Sequence, residues 1–249
     1  MLDEKTDVLA RAAKRGDPEA FKQLCGLMKD KLYYAAAIFL GLKNGGFHPE
    51  DEILSAISKT VYKAYCGMRK QRFTLMTDTW LLSILCDICG ENKTAQTEES
   101  DSLIAKICTF DAATKKAVVY RYVCGLDLTQ TADAMGIRPE TADNLLKASY
   151  AVIKEKELAK ITQLMPPISD KFEETVSAAV DNADKARKKE TKRLTITFFI
   201  LIVITALIVA IFIKNLESID NFMDKNASYG HTNNTLPTFQ GSTTDGETE

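Results

Sequence analysis

Few side chains in this sequence have the type and spacing that covalent or metal chemistry requires. There are six cysteines (Cys25, Cys66, Cys86, Cys89, Cys108, Cys124) and two histidines (His48, His231). Cys86 and Cys89 form a C-x-x-C, the spacing of half a zinc site or of a dithiol pair. A tetrahedral zinc site needs four ligands, and neither a second C-x-x-C nor a neighbouring histidine supplies the rest. Cysteines three apart share a helix face, where they act as small apolar side chains, and that is the expectation here. His48 stands in a G-G-F-H-P-E loop. The chain offers no nucleophile-base spacing, glycine-rich phosphate loop or metal set, so the residues point away from an enzyme, and no cofactor is expected.

The charge balance narrows the options further. With 32 basic and 34 acidic residues and a net charge of -2, the chain is not a strongly basic nucleic-acid binder. The charges are unevenly spread, however. Residues 194–213, LTITFFILIVITALIVAIFI, contain no charged residue, glycine or proline. As a helix this run spans about 30 Å, the thickness of a bilayer's hydrocarbon core. A buried core helix that is apolar all round needs a large domain to surround it, and the flanking sequence provides none. A single membrane span is therefore expected, too far along the chain for a signal peptide.

The stretch RKKETKR at 187–193 precedes the span, with basic residues at all but two positions, whereas 214–249 are mostly acidic among their charges. The positive-inside rule then places residues 1–193 in the cytoplasm and 214–249 outside. The basic cluster is expected to be drawn to anionic headgroups of the lipid bilayer. All six cysteines fall on the cytoplasmic side, where thiols stay reduced.

The elements that would position functional side chains read as helices throughout. Asp17 and Pro18 open a helix carrying Phe21, Leu24, Cys25, Met28, Leu32, Ala35 and Phe39 at three- and four-residue spacing. It runs to the glycine-rich turn G-L-K-N-G-G at 41–46. A second helix follows Pro49 with Ile53, Ile57, Val61 and Tyr65 on one face. A third, over 77–90, carries Trp80, Leu81, Ile84, Leu85 and Ile88. These make residues 1–90 one helical domain. The polar stretch 91–102 reads as a linker. Beyond it, 103–161 hold a short helix, a helix over 112–123, a break at Gly125, a helix over 129–135, a turn at Gly136 and a long helix from Pro139 to about Lys160. Short helix, Gly-Ile turn and Pro-opened helix is the layout of a helix-turn-helix, with Ala132 allowing close packing and Ile137 plugging the core.

Residues 162–193 form a juxtamembrane segment that begins with a Pro-Pro break, so a soluble fragment is expected to end near Pro167. In this segment Ile168, Phe172, Val176 and Ala179 make a weak stripe for a partner or for the domain itself. The tail, 214–249, is rich in Asn, Thr, Gly and Ser and is expected to be disordered. The fold class is all-α: two small helical domains followed by a single transmembrane helix.

Read together, these segments resemble the sigma-70-type RNA polymerase sigma factors, above all the two-domain extracytoplasmic-function group. Residues 10–40, with GDPEAF, resemble the opening helix of that family's region 2, and TDTWLLSIL at 77–85 resembles its F-x-x-W-L-x-x-I-A segment. YRYVCGLDLTQTADAMGIRPETADNLLKASYAVI resembles its region 4 helix-turn-helix. The resemblance implies a membrane-tethered transcription initiation factor whose partners are core RNA polymerase and promoter DNA, with a regulatory membrane or extracytoplasmic protein as a further partner. By position, it puts Arg138, Thr141, Asn144 and Lys147 toward the major groove near the -35 element and Thr129 and Gln130 on phosphate. It puts Ser55, Ser58 and Tyr62 on the surface that grips core polymerase.

The departures from that family are specific. Asp143, Leu145 and Ser149 stand where it usually has basic residues, and Ser55 and Ser58 replace its D-x-x-Q. CDICGENKT follows Trp80 in place of a cationic run for the -10 strand, which wants aromatics for stacking and cations for phosphate. They leave a second expectation open, a sigma-like membrane regulator that acts by protein contact without reading a promoter.

Overall fold

Local capping chemistry sets several of the helix boundaries. The computed structural model describes residues 2–70, 77–90 and 102–229. Helix α1 (Leu2–Arg15), which the sequence reading leaves unassigned, buries Ala10 and Ala13. Gly16, at φ 103°, then turns the chain. The Asp17 carboxylate accepts from the backbone N–H of Glu19 at 2.9 Å and of Ala20 at 3.2 Å, and Pro18 supplies the first helical residue of α2 (Pro18–Leu27).

The single helix expected from Pro18 to Phe39 is two helices. Its periodic residues continue into α3 (Lys29–Leu40), but the chain breaks at Met28 (φ -102°, ψ 11°). The reason lies in α3, whose Leu32, Tyr33, Ala35, Ala36, Ala37, Ile38 and Leu40 are all buried. A helix covered on several sides cannot also extend a half-exposed one in a straight line, and its alanines admit close neighbours.

The glycine-rich turn is a two-stranded hairpin in which Leu42 pairs with Phe47 and Lys43 with Gly46. Asn44 (φ 54°) and Gly45 (φ 77°) form its tip. Asn-Gly with both residues at positive φ matches the twist of the flanking strands. Helix α4 (Glu50–Gly67) begins with Glu50, Asp51 and Glu52, which complement the partial positive charge of its N-terminus, and buries Ile53, Ile57, Val61 and Tyr65. Helix α5 (Thr77–Gly90) buries Leu81, Ile84, Leu85 and Ile88 as its spacing predicts, and Trp80 is partly buried.

The expected linker falls outside the described residues except for Ser102, whose hydroxyl accepts from Ala105 N–H to cap α6 (Leu103–Cys108). Asp111 caps α7 (Ala112–Val118), which widens into a π-helical turn at Val119–Val123. That turn carries Tyr120 into the core, edge-on to Phe39 with ring centroids 6.1 Å apart. Helix α3 packs on the π turn, and α5 packs on α8 (Leu128–Met135). The apolar stripes of 1–90 and 103–161 are thus buried in a common cluster.

Helix α9 (Pro139–Tyr150) stops ten residues short of the expected end and is followed by a short turn of helix, α10 (Glu155–Leu158). Ile153, Leu158 and Ile161 are all buried, and a straight continuation could not return all three to the same core.

The fragment end expected near Pro167 needs correction. Phe172, Val176, Ala179, Val180 and Ala183, in the first turns of α11 (Phe172–Tyr229), are buried. Here Lys22 reaches Asp181 at 2.9 Å, and Lys29 lies over the Phe172 ring, 5.7 Å from its centroid. The weak stripe read from sequence therefore serves the helical domain itself.

The chain divides into two compact units, Met1–Lys189 and Glu190–Glu249. In the second, α11 has a window of mean hydropathy 3.2 with none of it buried, long and apolar enough for a single membrane anchor. The tail expected to be disordered is helical as far as Tyr229, because no helix breaker occurs before Gly230; residues 230–249 fall outside the described residues.

Candidate nucleic-acid interface

The helix-turn-helix is built by local bonds. At the start of α8 the Asp127 carboxylate accepts from Gln130 N–H at 2.8 Å, and the Gln130 side-chain oxygen accepts from Asp127 N–H at 3.0 Å. This reciprocal capping box satisfies two otherwise orphaned donors. Gly136 ends α8 in the left-handed region at φ 67°, and Ile137 N–H donates to Ala132 O at 3.0 Å. Arg138 is extended and Pro139 opens α9. Ala132 and Ala142 are fully buried, so the two helices meet over small side chains, with Leu146 beneath them.

On α9 the buried face is Ala142, Leu146 and Ser149, while Thr141, Asn144 and Lys147 are exposed, as is Arg138 just before the helix. Positions three apart are neighbours on a helix, so these four form a continuous polar strip. Lys147 Nζ lies 2.6 Å from Asp143, and that hydrogen bond raises its pKa, so it stays cationic. Part of its charge is nevertheless spent within the helix. Thr129 is exposed at the start of α8, whereas the side-chain oxygen of Gln130 is committed to the cap.

Two of the departures from the family pattern have a packing explanation. Ser149 is fully buried and donates to Leu146 O at 2.7 Å, and Leu145 is partly buried, so a cation at either position would not face a ligand. Only Asp143 alters the exposed charge.

The capping box carries a test. Replacing Asp127 by Ala is expected to cost about 0.5–2 kcal/mol in urea-melt stability, because the side-chain acceptor for Gln130 N–H is lost. A cost near zero would mean that water caps α8 equally well.

The second candidate surface is the outward side of α4. Ser55 and Tyr62 are exposed there and Ser58 is partly exposed, along a row with Lys59, Lys63 and Cys66. Ser55 also lines an open cleft of about 350 Å³ with Leu40, His48, Asp51, Glu52, Lys59 and Ile88. Glu52 anchors its rim: it accepts from His48 Nδ1 at 2.6 Å and from Lys43 Nζ at 2.6 Å. Both bonds lower the Glu52 pKa, that of Lys43 most. Sequence reasoning placed His48 in a loop and missed this anchor, although the i, i+4 spacing of His48 and Glu52 was the available signal.

Cys25, Cys89 and Cys124 are buried and serve packing, whereas Cys66 is exposed. Burial pushes the Cys25, Cys89 and Cys124 thiols up to about 12, which keeps them protonated and inert. Cys86 is raised by burial too, against the opposing effect of Lys116. Among the described residues, no group of three or more His, Cys, Asp or Glu could hold a metal ion.

No family model and no curated protein matches the sequence. Among solved structures, the chain is similar to one from the structure of CnrH in complex with the cytosolic domain of CnrY. The identity is 17%, over 64% of this chain and 98% of that one, with a TM-score of 0.49. This is a distant likeness of fold and brings no activity or partner with it.

Proposed function

We propose that the chain is a membrane-tethered, sigma-type transcription factor whose α9 reads DNA and whose α4 contacts core RNA polymerase, with residues 1–193 on the cytoplasmic side. The observation that carries this reading is the capped helix-turn-helix with Arg138, Thr141, Asn144 and Lys147 exposed in one strip. Its chemistry suits the task, because Asn bonds base edges, Arg and Lys pair with phosphate, and the start of a helix offers free N–H groups. The sequence resemblance in both helical segments supports the same assignment.

A second reading, a regulator that acts by protein contact alone, draws on two observations. The Lys147–Asp143 pair reduces an already small cationic surface, and α5, the helix that would precede strand capture, is packed against α8. Pull-down of core RNA polymerase by the full chain in detergent, followed by run-off transcription, separates the two. Under the first reading, polymerase is retained and transcripts start at defined sites. Asn144→Ala then shifts promoter preference by about 1–3 kcal/mol, while Lys147→Ala weakens binding evenly and flattens its salt dependence. Retention without specific transcripts supports the second reading, and absence of both retention and transcripts overturns the sigma-type assignment as function and leaves it only as fold.

A further inference from the structure

The tip of the hairpin brings a side-chain amide and a bare backbone nitrogen together. Asn-Gly occurs once in the sequence, at Asn44-Gly45. Both residues are exposed, and both stand at positive φ, 54° and 77°. Gly45 has no Cβ to shield its nitrogen, and its N–H makes no hydrogen bond among the described residues. By contrast, Asn144, Asn182 and Asn215 lie inside helices, where the next N–H donates along the ladder and the next residue bears a side chain.

We propose that Asn44 is a site of spontaneous deamidation, gated by the contact that ties the hairpin to α4. The Gly45 nitrogen attacks Cγ of Asn44 and closes a cyclic succinimide. The bond from Cγ to Nδ2 breaks, and Nδ2 leaves as ammonia with the proton given up by the Gly45 nitrogen. Water then opens the ring. Breaking the bond from nitrogen to Cγ gives aspartate, whereas breaking the bond from nitrogen to the main-chain carbonyl carbon gives isoaspartate, whose backbone runs through Cβ and Cγ. Water is the co-reactant and ammonia the by-product, and no electrons are transferred.

Ring closure requires Asn44 to turn its Cγ toward the Gly45 nitrogen, out of the left-handed conformation that the paired hairpin imposes. That conformation is held by the pairs Leu42 with Phe47 and Lys43 with Gly46, and by Lys43 Nζ on Glu52 at 2.6 Å. A lone hairpin is marginal in water, so its tip opens, and the Lys43–Glu52 contact acts as the brake. Isoaspartate adds a methylene to the turn, which breaks the register of Lys43 with Gly46. Lys43 then leaves Glu52, at the rim of the cleft lined by His48 and Ser55.

The test incubates the full chain in detergent at mildly alkaline pH and follows, peptide by peptide, the mass gained when an amide becomes a carboxylate. Isoaspartate is identified by enzymatic methylation. Asn44 is expected to convert first, while Asn144, Asn182 and Asn215 remain amides. Glu52→Gln weakens the hold on Lys43 and is expected to speed conversion about two- to five-fold in the folded chain. In urea, where the hairpin is absent, it should convert at the wild-type rate. Asn44→Gln, whose longer side chain closes a ring far more slowly, is expected to abolish the mass gain. In converted chains the Lys43 amine should acetylate faster than in unconverted chains of the same sample.

An Asn44 amide that survives in the folded chain while it converts in urea overturns the site. Equal folded-state rates for wild type and Glu52→Gln overturn the brake, and unchanged Lys43 acetylation in converted chains overturns the release of Glu52.

Discussion

A fragment ending at residue 167 is expected to lose cooperative unfolding, and one ending at 189 to keep it. Residues 168–187 look from their composition like a polar connector, yet Phe172, Val180 and Ala183 are fully buried and Val176 and Ala179 nearly so. Removing them strips one side of the core beside α2. Within the 1–189 fragment, Phe172→Ala is expected to cost about 3–5 kcal/mol, the transfer energy of a buried ring plus the cavity it leaves. Against a total stability of about 5–15 kcal/mol, that is enough to leave a marginal domain largely unfolded. The check is a urea melt followed by circular dichroism. The midpoint should fall by more than about 1 M with little change of slope. A fall of less than about 0.3 M would remove α11 from the core.

Asp184→Ala should be comparably severe. Asp184 and Arg187 are 12% and 17% exposed at their side chains, and Asp184 Oδ1 lies 2.9 Å from Arg187 and 3.2 Å from Tyr65 Oη. Truncating the acid removes a carboxylate that pairs with a mostly buried guanidinium, a loss of about 3–5 kcal/mol. Adding Arg187→Met removes the guanidinium as well and should recover part of that loss, so the double variant ought to be more stable than the sum of the single changes.

The pH dependence has a definite sign. The Lys188 hydrogen bond, followed by Tyr65 and the nearby charges, lowers the Asp184 pKa in the folded chain, against the opposing effect of burial. A carboxylate whose folded pKa lies below its unfolded value of about 3.9 contributes stability that is fully present above that value and is lost as pH falls through the folded one. The stability gap between wild type and Asp184→Asn should therefore stay constant above about pH 5 and shrink below about pH 4. A gap that persists undiminished at about pH 2 would show that shape, and not charge, accounts for it.

Much of the fold was legible because its signals are local. Asp17-Pro18, Gly136 and Pro139 each act on their own backbone neighbours, and the structure places helix boundaries where those residues stand. The apolar spacing in α4 and α5 likewise identified the side chains that are buried. The Asn44-Gly45 hairpin was equally local and was missed only because two-residue strands show no alternation. The candidate strip on α9 came by position from the family resemblance, which could not show that Gln130 is spent on a cap, that Lys147 pairs with Asp143, or that Ser149 points inward.

By itself the sequence determined that the protein is helical, that a helix-turn-helix begins near Thr129 with its second helix opened by Pro139, and that one uncharged run is long enough to cross a bilayer. Periodicity, capping and length are properties of consecutive residues. Only the tertiary structure decided that α2 and α3 are separate, that Tyr120 meets Phe39, and that α11 begins as part of the helical domain and not as a tether. It also separated Arg187 from the lysines beside it. A run of like charges is uniform in sequence, but burial is set by partners far along the chain: Gly16 and Tyr65, 171 and 122 residues away, draw one cation inward, while its neighbours stay in water.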